Sequence, residues 1–253
     1  MKKLNFIIKY GLALLLLSFY SCESWLNVTP SDRLSEEMLF NDREGFVKAL
    51  NGVYIELNTN ELYGRNLTAG ALDVMGQYYS VASSSHAFYN YGGLVYTGND
   101  EKALFDNMWQ KCYAVIACCN TIIEKCDENK AGLSPVWKGS IKGEALALRA
   151  MLHFDMLRLF GPLTSELDKE SIPYQTNSDQ TVTPLLSGSE VIGLILDDLK
   201  NAVGLLKDTD PYFVEEEFSD TDLNYRRFRM NYFAAKGLMA RVQLWGGDKE
   251  KAA

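Results

Sequence analysis

Residues 143–162, GEALALRAMLHFDMLRLFGP, constrain this chain more than any other stretch. The spacing predicts a helix of about four turns. It ends at Gly161-Pro162, where proline cannot supply the next backbone N–H. On a helical wheel Ala145, Leu148, Leu152, Met156 and Leu159 form one apolar face. Leu146, Ala147, Ala150, Met151, Phe154 and Leu157 form a second, roughly opposite. Two narrow polar strips separate them: Glu144, Asp155 and Arg158 on one side, Arg149 and His153 on the other. A helix at a protein surface needs only one apolar face. Two faces require neighbours on both sides, as in a layered stack of helices. Arg149 inside such a stack requires a carboxylate or carbonyl partner, because an unpaired buried charge is expensive. His153 reads as a structural residue of the same helix.

The rest of the chain supplies enough apolar material for such a stack. Of 253 residues, 47% are hydrophobic and 23% charged, and the formal net charge is −8. The acidic balance, with no basic run after residue 9, excludes a nucleic-acid ligand, which needs Lys/Arg patches for phosphates. The start is different. Lys2, Lys3 and Lys9 precede the apolar run GLALLLLSFY at residues 11–20, followed by Ser21 and Cys22. The run is too short for a bilayer span and has the layout of a secretory signal. A small residue before Cys22 resembles a bacterial lipobox, so residues 1–21 read as a signal peptide and Cys22 as the lipidated first residue of the mature chain. The alternative is an uncleaved membrane-proximal segment with a buried cysteine. Several acyl chains would anchor the protein durably where one is marginal.

Cys112, Cys119 and Cys126 recur every seven residues on one helical face, with Cys118 beside them. Neighbours in that register stand roughly 10.5 Å apart, beyond the reach of a disulfide. The spacing is not that of a zinc site either. The three read as small buried hydrophobes.

In chain order, residues 23–34 read as an extended lead. Asn41 and Glu44 suggest a capping box for a first amphipathic helix carrying Phe46, Leu50, Val53 and Leu57. Residues 104–127 read as a long helix whose buried stripe includes Met108, Cys112, Ile116, Cys119 and Ile123, with Asn120 at its edge bonding a neighbouring backbone. Residues 163–186 read as a polar connection. Ser187 and Glu190 suggest a second capping box, opening a helix along Ile192, Ile195, Leu199, Val203 and Leu206, with Asp197 and Asp198 on its solvated side. Residues 208–228 form an acidic loop, in which Glu215, Glu216 and Glu217 are a solvated charge run or, alternatively, a calcium site. Residues 231–245 are the last full helix, and residues 249–253 begin another. A chain that stops in mid-element is expected to be a fragment or a truncated reading frame.

Residues 68–100 break the helical periodicity. They are rich in Ser, Gly, Asn and Tyr, with Tyr78, Tyr79, Tyr89, Tyr91 and Tyr96 inside nineteen residues. Their composition is too aromatic for disorder, and long ordered loops are usually functional. Two readings stay open: the tyrosines present their rings to a ligand, or they pack the loop onto the helices. Enzyme signatures are weak. There are two histidines and no GxSxG, Walker A or HExxH pattern. No pair of carboxylates is placed for acid–base chemistry, and neither a cofactor nor a metal is expected.

Helix pairs with small residues at their contacts, and ARVQLWGGDKEKAA at residues 240–253, resemble degenerate tetratricopeptide repeats. Taken in order, the landmarks resemble the SusD/RagB family of Bacteroidota outer-membrane lipoproteins. They are Cys22 with Leu26-Asn27-Val28-Thr29-Pro30; Phe46 with Ala49 to Tyr54; Trp109, Tyr113 and Asn120; Gly143-Glu144-Ala145 through Arg158-Leu159-Phe160-Gly161; Asp197-Asp198-Leu199; and residues 234–248. Asn27 stands where that family often has Asp. The resemblance implies an all-α, tetratricopeptide-like stack with long irregular loops (SusD-like): a lipidated lead at 22–34, then an N-terminal helical domain at 35–253, truncated at its C-terminal end. It implies a non-enzymatic, surface-exposed lipoprotein, acylated and held on the outer membrane. It would capture an oligosaccharide or, in the RagB branch, a peptide, and pass it to a SusC-like TonB-dependent transporter. The candidate ligand residues are Asp73, Tyr78, Tyr79, His86, Tyr89, Asn90 and Tyr91, whose rings suit the apolar faces of sugars. A helical-repeat scaffold binding only protein is the alternative, and a glycosidase a more distant one.

Overall fold

The computed structural model describes residues 36–179, 181–214 and 226–252. The chain divides into two units, residues 1–39 and 40–253. The described part of the first is a single short helix, α1 (Glu36–Leu39). The signal segment, Cys22, the lead to Leu34 and Glu215 to Glu217 lie outside the described residues.

The second unit is a stack of helices, as the two-faced segment requires. Its members are α2 (Arg43–Leu57), the short α3 (Ala71–Met75) and α4 (Tyr89–Gly92), the long α5 (Asn99–Glu128) and α6 (Pro135–Phe160), α7 (Gly188–Thr209), α8 (Tyr232–Trp245) and the terminal turn α9 (Lys249–Ala252). The connection at 163–186 is not wholly irregular. It carries a 3-10 turn (Thr164–Glu166) and a strand β1 (Glu170–Pro173), which pairs antiparallel with β2 (Leu185–Ser187). No described helix is long and apolar enough to cross a membrane.

The organising helix starts eight residues earlier than the periodicity suggests. Ser134 caps it by accepting from the Trp137 N–H at 3.3 Å, and Pro135 occupies the first helical position, where its missing donor is harmless. Both apolar faces of α6 are buried along most of their length, with Met151 and Leu159 half-buried. Ala145, Leu148, Leu152 and Met156 on one face, and Ala147, Ala150, Phe154 and Leu157 on the other, expose 1% or less. Each large side chain so buried contributes about 1.5–3 kcal/mol. Helix α7 lies close against α6 because two glycines leave room for it. A Cβ on Gly143 would stand 2.8 Å from Leu206 Cγ, and one on Gly139 2.6 Å from Thr209 Cγ2.

Other boundaries follow local chemistry. Helix α2 is capped by Asp42, not Asn41: its carboxylate accepts from the Gly45 N–H at 2.8 Å. Helix α5 begins five residues before Leu104, with Asp100 and Glu101 in a first turn that favours acids. The Ser187–Glu190 capping box is present at α7. Cys112, Cys119 and Cys126 are fully buried and unbridged.

The polar strips of α6 are satisfied by buried networks. Arg149 forms a bidentate pair with Asp198, at 2.7 Å from Nε and 2.6 Å from Nη2. Its Nη1 donates to Asn120 Oδ1 at 2.9 Å. Asn120 in turn donates to the carbonyls of Gln175 and Asn177. This corrects the placement of Asp198 on a solvated side: it is 7% exposed, and only Asp197 faces water. On the other strip Glu144 accepts from Arg226, from Arg229 at 2.8 Å and from the Tyr54 hydroxyl. Arg226 also pairs with Asp210 at 2.8 Å.

His153 completes the core. Its Nδ1 lies 3.0 Å from the Arg149 carbonyl, and its Nε2 accepts from the Gln175 N–H at 3.0 Å. That pattern requires the neutral tautomer protonated on Nδ1. Tyr174 stacks on the ring at 3.9 Å. Burial lowers the His153 pKa to about 3, against roughly 6.5 for a free imidazole. The folded value is depressed, so this stability is fully present above about pH 6.5. It is lost as pH falls toward 3, by up to about 1.4 kcal/mol per pH unit. Urea denaturation between pH 7 and pH 4 should show the midpoint falling, and the slope of stability against pH should flatten in His153→Gln. An unchanged slope would mean that the imidazole is charged or accessible.

Candidate ligand-binding loop

The Tyr-rich segment is an ordered loop between α3 and α5, interrupted by the single turn of α4. Two residues hold its ends in the left-handed backbone region that L side chains rarely adopt: Gln77 (φ 62°) and Leu94 (φ 56°). The Gln77 side chain fastens the loop on itself. Its Nε2 donates to the Gly92 carbonyl at 3.0 Å and to the Val74 carbonyl at 3.3 Å. Backbone bonds from Tyr78 N–H to Asp73 O (2.9 Å) and from Val95 N–H to Asn90 O (2.8 Å) close its two ends. Strained backbone of this kind persists only where the surroundings dictate it, and it concentrates at functional sites.

The seven candidate residues separate into a buried set and an open set. Tyr91 does not present its ring to solvent. It is 2% exposed and packs against Phe88 (5.8 Å between centroids), Phe105 (6.0 Å) and Tyr96 (6.3 Å). Burial, then the nearby Glu101 carboxylate, push its phenol up to about 12. Asn90 is exposed, but its Nδ2 donates to Glu101 Oε1 at 2.8 Å, bonding the loop to the first turn of α5. Tyr91 and Asn90 are therefore fastenings of the loop, as the packing reading expects. Asp73 sits half-buried on α3.

Tyr78, Tyr79, His86 and Tyr89 are exposed. Tyr78 is the most open aromatic of the loop, at 79%. Its ring is backed by Gly76: a Cβ there would meet Tyr78 Cδ2 at 3.1 Å and Cε2 at 3.2 Å. Resting against bare backbone, the ring is held while most of its surface stays open. Next to it in sequence, Tyr79 joins a depression of about 500 Å³. Ala69, Val74, Val81 and Ala82 supply its apolar lining, with the ring of Phe88. Its polar members are Ser80, Ser83 and His86. His86 Nδ1 accepts the Phe88 N–H at 3.1 Å, which leaves the proton of a neutral ring on Nε2.

A second large aromatic beside a surface depression, Trp137, is differently placed. The Arg43 guanidinium covers the Trp137 ring at 4.8 Å, so that ring already has a partner. Among the described residues, no three His, Cys, Asp or Glu side chains cluster closely enough to hold a metal ion.

The comparisons with known proteins decide the family. A family profile described as SusD-like, starch-binding associating with outer membrane, matches residues 24–244. The chain belongs to the SusD-like family. SusD-like protein P2 of Formosa agariphila is 25% identical over 258 aligned positions, covering 99% of this chain and 44% of its own length. A SusD-like protein of Bacteroides ovatus is 30% identical over 146 positions, 56% of this chain and 23% of its own. The crystal structure of a SusD-like carbohydrate binding protein from Bacteroides vulgatus superposes with a TM-score of 0.65 at 23% identity, over 84% of this chain and 43% of that one. A laminarin binding SusD-like protein superposes at 0.60 with 16% identity, over 84% of this chain and 42% of that one. These structures share the fold, and the helical stack with long loops is the SusD-like architecture. The chain spans less than half the length of the relatives it matches.

The division of the loop's tyrosines has a direct thermodynamic consequence. Tyr91→Ala should destabilise the chain by about 3–5 kcal/mol, as large-to-small core substitutions of aromatics do. Tyr78→Ala should change stability by less than about 0.5 kcal/mol. Urea denaturation of the two variants measures both, and equal losses would mean that Tyr78 is a packing residue too.

Proposed function

We propose that this chain captures an oligosaccharide on its Tyr-rich loop, without chemistry, and hands it to a SusC-like TonB-dependent transporter in the outer membrane. The observation that carries the reading is the open ring of Tyr78, held against Gly76, on a loop whose next residue, Tyr79, lines a depression with His86. It belongs to a chain whose family is described by starch binding and outer-membrane association. Aromatic rings stack on the apolar faces of sugar rings, and tyrosine adds a polar handle at the wet edge. A ligand-facing surface of exposed rings on a fixed loop needs little ordering on binding, which favours affinity. The buried charges Glu144, Arg149, Asp198, Asp210 and Arg226 pair with one another in structural networks, which supports a non-catalytic role. Lipidation of Cys22 belongs to the same proposal: an acylated N-terminus would hold the folded chain at the membrane beside its transporter.

Affinity electrophoresis of the 253-residue chain on a panel of neutral polysaccharides tests the capture step. Retardation is expected on at least one, and Tyr78→Ala with Tyr79→Ala should weaken it about tenfold, or roughly 1.4 kcal/mol, at unchanged melting temperature. Free migration throughout the panel, or a double variant retarded like the parent, rejects the glycan reading. A panel of peptides that competes with nothing but binds the same rings would replace it with the peptide branch.

Anchoring is tested separately. Cys22→Ser should move the protein from the membrane fraction to the soluble periplasmic fraction, and mass spectrometry of the parent should find acyl groups at Cys22. A parent N-terminus without acyl chains rejects the lipoprotein assignment.

A further inference from the structure

We propose that the depression lined by Tyr79, Phe88 and His86 is an acetyl subsite, receiving the acetamido or O-acetyl group of a substituted sugar ring. The proposal rests on the reading of the loop as the glycan site. A bare sugar ring displays hydroxyls, and proteins that read hydroxyls use carboxylates, carboxamides or guanidinium groups, which offer several aligned donors or acceptors. None of those side chains lines this depression. Its walls are the methyl groups of Val74, Val81 and Ala82 with the rings of Tyr79 and Phe88. Hydroxyls laid against those methyl groups and rings would lose water and gain no partner there. A methyl group gains from the same surface.

An acetyl group is more than a methyl: it carries one carbonyl acceptor beside it. His86 matches that second requirement. Its Nδ1 is committed to the Phe88 N–H, so the neutral ring offers an Nε2–H donor to the same depression. Ser83 is less available, because its hydroxyl shares the loop's own turn with Ser85 Oγ at 2.9 Å and accepts from Ser85 N–H. A donor next to an apolar wall, His86 Nε2–H or the Ser80 hydroxyl, fits a carbonyl next to a methyl. The volume of about 500 Å³ exceeds an acetyl group and leaves room for part of the ring that carries it. The Gln77 side chain ties Val74 to Gly92 and the Phe88 N–H holds His86 Nδ1 before any ligand arrives, so the preference requires no rearrangement.

The experiment compares two ligand pairs on the 253-residue chain by calorimetry. Chitohexaose and cellohexaose share a β-1,4 backbone and differ at C2, acetamido against hydroxyl. O-acetylated and deacetylated xylan test the ester form. The acetylated member of at least one pair should bind about tenfold tighter, the combined effect of a buried methyl and a hydroxyl spared from desolvation. Ala82→Asp should close that gap to within about twofold, and so should Val81→Asp, while Tyr78→Ala should weaken both members alike. Ala82 is exposed, so its variant retains the fold. If both members bind equally and Tyr78→Ala weakens both, the subsite falls and the glycan reading stands. An acetyl preference that survives both charge insertions overturns the subsite as well. Binding of no glycan, or binding indifferent to Tyr78→Ala, overturns the subsite and the loop reading together.

Discussion

The structure depends on how one helix, buried along most of its length, keeps its charges. Two apolar faces force α6 into the middle of the stack, and the strips between those faces go in with it as far as the last turn, where Arg158 reaches water. Glu144, Arg149 and His153 are 2%, 6% and 0% exposed. At such depth a charge must find a partner of opposite sign with good geometry, or the helix cannot occupy the site. Arg149 finds Asp198 on α7 and Asn120 on α5, while Glu144 finds Arg226, Arg229 and Tyr54. Pairs of this kind add little net stability over well-packed apolar residues, because desolvation offsets their attraction. Their effect is on arrangement. Each ion pair is satisfied by one particular neighbour, so the networks favour one order of packing among the several that greasy faces alone would allow.

The two networks also gather the segments that have no helical period of their own. Asn120 and Arg149 reach the carbonyls of Gln175, Asn177 and Thr176, and His153 accepts from the Gln175 backbone. The connection after α6 is thereby fixed to the core at several points, which is how a polar stretch with Pro173 and Pro184 becomes ordered. At the other strip the residues after Thr209 do the same. Asp210 accepts from the Tyr232 N–H at 2.9 Å and binds Arg226, placing the start of α8 against α6.

What was legible in the sequence follows from these mechanisms. Periodicity is a strong signal where burial is continuous, so the two faces of α6, the cysteine stripe of α5 and the capping box of α7 could be read directly. Arg149's need for a partner was legible too, but its partner was misplaced. Asp197 and Asp198 look alike as letters, yet Asp198 falls three residues after Ile195 and beside Leu199, on the buried stripe of α7. Applying the helical period to the acids as strictly as to the apolar residues would have found it. Arg226 and Asp210 carried no such signal: Asp210 caps the end of α7, and the letters before Arg226 show no apolar period. Asn41 and Asp42 are adjacent and chemically similar as caps, and only the chain's path chooses between them. In the loop there is no period at all. Nothing in the letters separates Tyr91, which is core, from Tyr78, which is open.

The loop's own order has the same origin as that of the stack. From Tyr91 a run of ring contacts leads inward: Phe105 at 6.0 Å, then Phe160 at 6.3 Å, Trp109 at 5.1 Å, Tyr113 at 4.7 Å, His153 at 6.0 Å and Tyr174 at 3.9 Å. Each ring in the run touches the next, and the last two belong to the Arg149–Asp198 network. Edge-on and offset ring pairs add about 0.5–1.5 kcal/mol each beyond their buried area. A loop fastened at one end of such a run can hold two residues in left-handed backbone, a strain of order 1–3 kcal/mol each, without dissolving. The open rings of Tyr78 and Tyr79 are then carried by a backbone whose position is set in the core. That division assigns different work to residues of one type: buried tyrosines fix the loop, and exposed ones are free to meet whatever approaches it.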